Sequence, residues 1–217
     1  MKQGSVNNGA LLFLQSSMIR LLFILPLFFF TSDKTVPVKV VYHIDNKSQL
    51  FLTGTTNVSD FSCNCKDKFQ PAVLEGEINL SNRQLSFTHV RLNIKTKLLS
   101  CKNNLMNRDM HKALKAEEHP YIFVDLVKAT PLPDEKELQT GKPYSYQVLT
   151  VIQIAGIAKT QLLQVKMYRI KNHYYKLAAE KQMKMSDYNI QPRTPFNIIK
   201  IDDAITIHFE LLVHTDK

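Results

Sequence analysis

The sequence predicts a mainly β protein: an antiparallel barrel of about eight strands with one short α-helix. Two patterns carry this expectation. Beyond residue 32, apolar residues recur at every second position over most of the chain, the spacing of strands with one covered face. That period is broken once, where Leu105, Met106, Met110 and Leu114 recur near every 3.6 residues. A shortage points the same way. The 217 residues include only 6 Gly and no Trp, so a Gly-rich phosphate loop has almost no material.

The expected strands follow in order. Val38–Ile44 starts after Pro37 and is rich in Val. Leu50–Thr56 and Val58–Cys65 flank the turn-prone Thr56-Asn57. Ala72–Leu80 and Leu85–Lys97 come next, the second alternating through Val90, Leu92 and Ile94. The helix spans Asn103–Lys115, with Asn103 or Asn104 as its cap. Pro120 closes that region and Tyr121–Leu126 resumes as strand. Pro131, Pro133 and Asp134–Glu137 mark a solvent-facing loop. Tyr146–Ile154, Leu162–Ile170 and Tyr174–Met185 are the long strands, and Ile205, Ile207, Phe209, Leu211 and Val213 alternate through the last. No linker, repeat or composition shift divides residues 33–217, so they read as one domain. A sheet of this kind leaves exposed edges unless it closes, and a barrel removes them.

Residues 1–32 read differently. They contain two bases, Lys2 and Arg20, and no acid. Leu21 to Phe30 is an unbroken apolar run, too short for the ~20 residues of a membrane span but suited to an export signal. The expected location is therefore periplasmic or secreted, in a bacterial envelope. Phe28-Phe29-Phe30-Thr31-Ser32 lacks a small-x-small cleavage pattern, so an uncleaved anchor is the alternative, and Met18 is an alternative start to Met1.

An oxidising compartment permits a disulfide among Cys63, Cys65 and Cys101. Cys63 and Cys65 share one face of a strand and are poor partners for each other. Cys101 is the mate for either. Cys63, nearer the apolar Phe61, is preferred. Free structural thiols and a metal or redox site are the alternatives, but a closed zinc site needs four ligands.

Enzyme motifs are missing: no H-E-x-x-H, no phosphate loop, no dinucleotide fingerprint and no G-x-S-x-G. The seven histidines show no metal-ligand spacing and read as surface residues. A catalytic residue, a metal and a cofactor are therefore not expected. The formal charge of +9 permits contact with an anionic membrane surface. Nucleic acid is disfavoured, because the bases are scattered rather than striped with aromatics. What remains is the apolar face: Ile122, Val124, Leu126, Ile152, Ile154, Leu163, Val165, Met183, Ile205, Ile207 and Phe209. If the sheet closes, these point inward. They either interdigitate as a solid core or line a channel.

Leu50-Phe51-Leu52-Thr53-Gly54-Thr55-Thr56-Asn57-Val58, with Phe61 and Cys63, resembles the opening hairpin of the YceI-like lipid- and polyisoprenoid-binding proteins. Met106-Asn107-Arg108-Asp109-Met110, Ala113-Leu114 and His119-Pro120-Tyr121-Ile122 are similar to their short helix and following strand. Thr150 to Lys159, Lys184 to Ile190 and Asp203 to Leu211 continue the similarity, which spans residues 38–214. Two positions depart from it: Asn189 stands where Gly is usual and Ala155 where His is frequent. The resemblance implies an extended, lipocalin-like barrel. It implies an exported, non-enzymatic protein holding an isoprenoid or fatty-acyl lipid, which makes the inward face the candidate lipid-binding set. An envelope or stress protein with a filled barrel and a partner-binding surface is the other reading.

Overall fold

The computed structural model describes residues 34–135, 137–192 and 198–216. The expected export segment lies outside them. The elements are β1 (Thr35–Ile44), β2 (Gln49–Thr56), β3 (Asp60–Cys65), β4 (Ala72–Asn79), β5 (Leu85–Lys95), β6 (Leu99–Cys101), α1 (Asn104–Ala113), β7 (Tyr121–Pro131), β8 (Pro143–Ile154), β9 (Ile157–Lys171), β10 (Tyr174–Lys184) and β11 (Ile201–Thr215). Eight strands form a closed antiparallel ring in the order β1-β4-β5-β7-β8-β9-β10-β11. It shuts where Tyr42, His43 and Ile44 pair with Thr215, His214 and Val213.

Nearer its start, β11 pairs along that edge with β2, from Glu210↔Gln49 to Ile201↔Thr56. β3 and β6 extend the sheet from β2. β1 and β2 therefore lie end to end along one side of β11, and the barrel is long. Two ends can be distinguished. At the mouth lie the β2–β3 turn, the start of β11 and α1. At the far end β11 finishes, and β1 begins beyond it.

Alternation places one face of each strand inside, but among the described residues four register shifts interrupt the ladders, near Tyr174, between Ile201 and Ile205, and at two places in mid-sheet that reset the phase. The last two fall between Ser86 and Val90 in β5, where His89 takes φ 57°, and between Leu126 and Lys128 in β7. Bulges of this kind insert one unpaired residue and bend the strand. The second explains why β7 continues past the expected end at Leu126: beyond Val127 the ladder runs to Pro131 in a new phase, and Ala129 is buried. β6 is too short to show a period, and the sequence gives no sign of it.

α1 matches the expected helix to within two residues at its end. The Asn103 side chain caps it, accepting from the amides of Leu105 and Met106. At the other end the Ala116 amide donates to His111 and the Lys115 amide to Lys112, a Schellman closure. Lys115 occupies the left-handed position, at φ 50°, that Gly usually fills. The β8–β9 hairpin turns on Ala155 (φ 48°) and Gly156 (φ 84°). A Cβ on Gly156 would stand 2.7 Å from the His119 ring, so this glycine is required for both conformation and space.

The interior holds two clusters. The larger includes Ile94, Leu99, Val124, Ile152, Ile154, Met183 and Tyr188. The smaller fills the far half with Ala129, Val148 and Leu163, against which Phe87, Tyr146 and Val165 pack. Tyr144 and Tyr146 meet there with rings tilted at 42° and centroids 5.0 Å apart, and burial pushes the Tyr146 hydroxyl pKa up to about 12.

Candidate functional site

The strand half of the mouth is built by Leu52, Phe61 and Ile205, and the helix half by the inward face of α1. Leu105, Met106, Asp109, Met110 and Ala113 share that face because they are spaced at one or two helical turns. Met185, Ile190, Pro192, Ile199 and Ile201 complete the wall. Together they enclose a cavity of about 370 Å³. Among the described residues, its polar lining is Thr56, Ser59, Asn103 and Asp109.

A second, deeper space of about 80 Å³ lies on the barrel side, and Leu52, Leu114, Ile190 and Ile205 line both. Ile122, Val124, Ile152, Ile154, Met183, Ile205, Ile207 and Phe209 line this inner space. So the structure brings together eight of the eleven residues singled out by alternation. It places Leu163 and Val165 in the packed far cluster, and Leu126 between the two clusters. Of the eleven, Ile205 alone also reaches the larger cavity. Most of that cavity comes from α1 and the loops, where no period-two signal exists. The 3.6 period of Leu105, Met106, Met110 and Leu114 was the available clue.

Cys63 and Cys101 are bridged, facing each other across β3 and β6, and the bridge forms part of the cavity wall. Cys65 is the free thiol, and burial pushes its pKa up. The preferred pairing is the one observed. The bridge ties β6, which pairs with β3 alone, into the sheet. Asn107 supports it by accepting the Cys101 amide at 2.6 Å, and His111 bonds the Leu99 carbonyl at 2.9 Å. His111 is thus a tie between α1 and β6 rather than a surface residue. With the cysteines 38 positions apart in the sequence, replacing both by Ala is expected to lower stability by about 3–4 kcal/mol in urea unfolding. Thiol labelling of the oxidised, unfolded wild type should count one thiol, Cys65.

The wall near Met185 depends on a carboxylate. Met185–Tyr188 form a 3-10 turn, closed by Asn189 in the left-handed region at φ 54°. Asn tolerates that conformation better than most residues, which explains how it serves where Gly is usual. Asp203 accepts from the Ser186 amide at 2.7 Å and from its hydroxyl at 2.6 Å. These bonds hold the Asp203 pKa below the ordinary carboxylate range. A depressed folded-state pKa gives stability that is present above the unfolded value and lost as pH falls through the folded one. Thermal unfolding across acidic pH should therefore show a shallower acid limb for Asp203→Asn than for wild type.

On the outer face, His208 contacts Glu180 and Thr53 and stacks on Phe51 with centroids 4.5 Å apart. Among the described residues, no group of three His, Cys, Asp or Glu side chains is placed to hold a metal ion.

A closed antiparallel barrel with an apolar end cavity, flanked by one helix, is a lipocalin-like architecture. The model of the YceI-like domain matches residues 42–213, and the chain belongs to that family. Two solved structures share the fold. A polyisoprenoid-binding domain from Saccharophagus degradans, implicated in plant cell wall breakdown, has TM-score 0.59 at 14% identity, covering 81% of this chain and 98% of that one. BcnA of Burkholderia cenocepacia has TM-score 0.58 at 16% identity, covering 78% and 98%. No curated protein sequence matches the chain.

Proposed function

We propose that the protein is an exported, non-enzymatic carrier that holds the tail of an isoprenoid or fatty-acyl lipid at the barrel mouth. The observation that carries this reading is the apolar cavity of about 370 Å³, a volume within the range of small-molecule sites. Membership of the YceI-like family and a fold shared with a polyisoprenoid-binding domain support it. So does the apolar run from Leu21 to Phe30, which supports passage to the periplasm or outside the cell. The tail enters past α1 and reaches the inner space lined by Ile152, Ile154, Ile207 and Phe209. Each methylene buried contributes about 0.8 kcal/mol. The packed far half stops the chain there. Asn103, Asp109, Thr56 and Ser59 lie where the head emerges. Met106, Met110 and Met185 supply flexible thioether walls that adapt to tails of varied shape.

Native mass spectrometry of protein purified from its own host tests this. A bound lipid mass, extractable and apolar-tailed, is the expected result. Protein that carries none, and takes up no polyprenyl or fatty-acyl probe, leaves a partner-binding barrel as the better reading.

A further inference from the structure

Among the described residues, the two most exposed large aliphatic side chains are Ile198 at 69% and Val58 at 66%; Val58 lines the cavity, and Ile198 adjoins Ile199, which lines it too. A hydrogen-bonded staple holds them together. The Asn57 amide donates to the Lys200 carbonyl, the Lys200 amide donates to Asn57 Oδ1, and Asn57 Nδ2 donates to the Ile198 carbonyl. The turn itself is locked by Thr56 Oγ1, which accepts from the amides of Val58 and Ser59. Leu105 and Ile199, at 41% and 40% exposure, continue the patch, and with Val58 they also line the cavity. Apolar surface therefore runs without a break from solvent into the barrel. Rigid presentation means that little conformational freedom is lost when the patch is covered.

The geometry points to a lipid bilayer as the surface this rim docks on, with Val58 and Ile198 entering the interface and the cavity opening toward the acyl chains. The inference rests on the carrier reading above. Four side chains offer on the order of a few hundred Å² of apolar surface, well short of the ~800 Å² per partner that a stable protein interface buries. A small apolar wedge is enough for interfacial insertion. A water-insoluble tail also needs a continuous apolar route out of the membrane, and this rim supplies one. Lys102, Arg108 and Lys200 are exposed at this end and favour an anionic surface. Asp60, Asp109, Asp202 and Asp203 lie there too, so apolar insertion outweighs charge and the salt dependence is shallow.

The lack of native Trp makes the test direct. Full-length Ile198→Trp and, as a far-end control, Leu80→Trp are mixed with vesicles of phosphatidylcholine containing phosphatidylglycerol, some with brominated acyl chains. The expected result is a blue shift and bromine quenching for Ile198→Trp and neither for Leu80→Trp. Ile198→Asp, at a position outside the cavity lining, should cut vesicle partitioning about tenfold or more. Its bound-lipid content by native mass spectrometry should stay at the wild-type level. Equal shifts at both positions, no shift at either, or a shift that tracks protein concentration without vesicles overturns the docking surface. If lipid is bound but vesicles are ignored, docking fails while the carrier reading stands. If vesicles bind at the rim but no lipid is ever carried, the carrier reading fails alone.

Discussion

Replacing Gly76 by Ala is expected to cost about 4 kcal/mol or more, a large fraction of the whole stability of a domain. Gly76 lies in β4, paired to Val38 on one side and Phe87 on the other. A Cβ there would stand 2.2 Å from the backbone carbonyl oxygen of Ser86. A side chain could swing away from such a contact, but a carbonyl locked in a ladder cannot. The strands must separate, and β4 is what joins β1 to β5 in the ring. Gly141→Ala is the comparison. Nothing lies within 4 Å of its Cβ position, so the cost is that of a left-handed φ of 78°, about 1 kcal/mol. Urea unfolding of both variants measures the difference. Equal stabilities would mean that the close approach of β4 and β5 is not a constraint.

Ala113→Trp is expected to remove bound lipid at least about tenfold while leaving the fold intact. Ala113 lines the larger cavity from α1, so an indole there occupies space already empty. Ile154→Trp is the converse. Ile154 is buried in the main cluster beside only about 80 Å³ of free space, and the added volume should cost roughly 1–3 kcal/mol or more. Lipid extraction with mass spectrometry, alongside urea unfolding, reads both effects. Full lipid content in Ala113→Trp would place the ligand elsewhere.

Particular residues show how far period-two patterning reaches. Ile205, Ile207 and Phe209 alternate cleanly in the sequence and do line free space. Leu163 and Val165 alternate equally well, yet they lie in the packed half. Alternation reports which face a residue takes but not its height along the barrel, because height depends on register between strands distant in sequence. Val58, Ile199 and Pro192 line the mouth from turns and loops, where no period exists to detect. Lys115 adopts left-handed φ without being Gly, so the helix end lacks the usual marker, whereas the β8–β9 turn carries one at Gly156 beside the left-handed Ala155. The pairing of Cys63 was legible because β3 presents its two thiols on one face and Phe61 marks the apolar end.

β11 ends at Thr215, paired to Tyr42, and β1 starts further out still, at Thr35. Both strand ends thus leave the barrel on the side away from Val58 and Ile198. Coupling the protein to a bead or sensor chip through Thr215 would stand it upright with its opening toward the bulk. Coupling through Asn57 or Ile198 would turn the opening against the support. The first geometry leaves the full path for exchange of cargo with passing vesicles, and the second closes it. Comparing the two orientations on one chip separates what the opening does from what the outer wall of the barrel does, with no residue of the cavity changed.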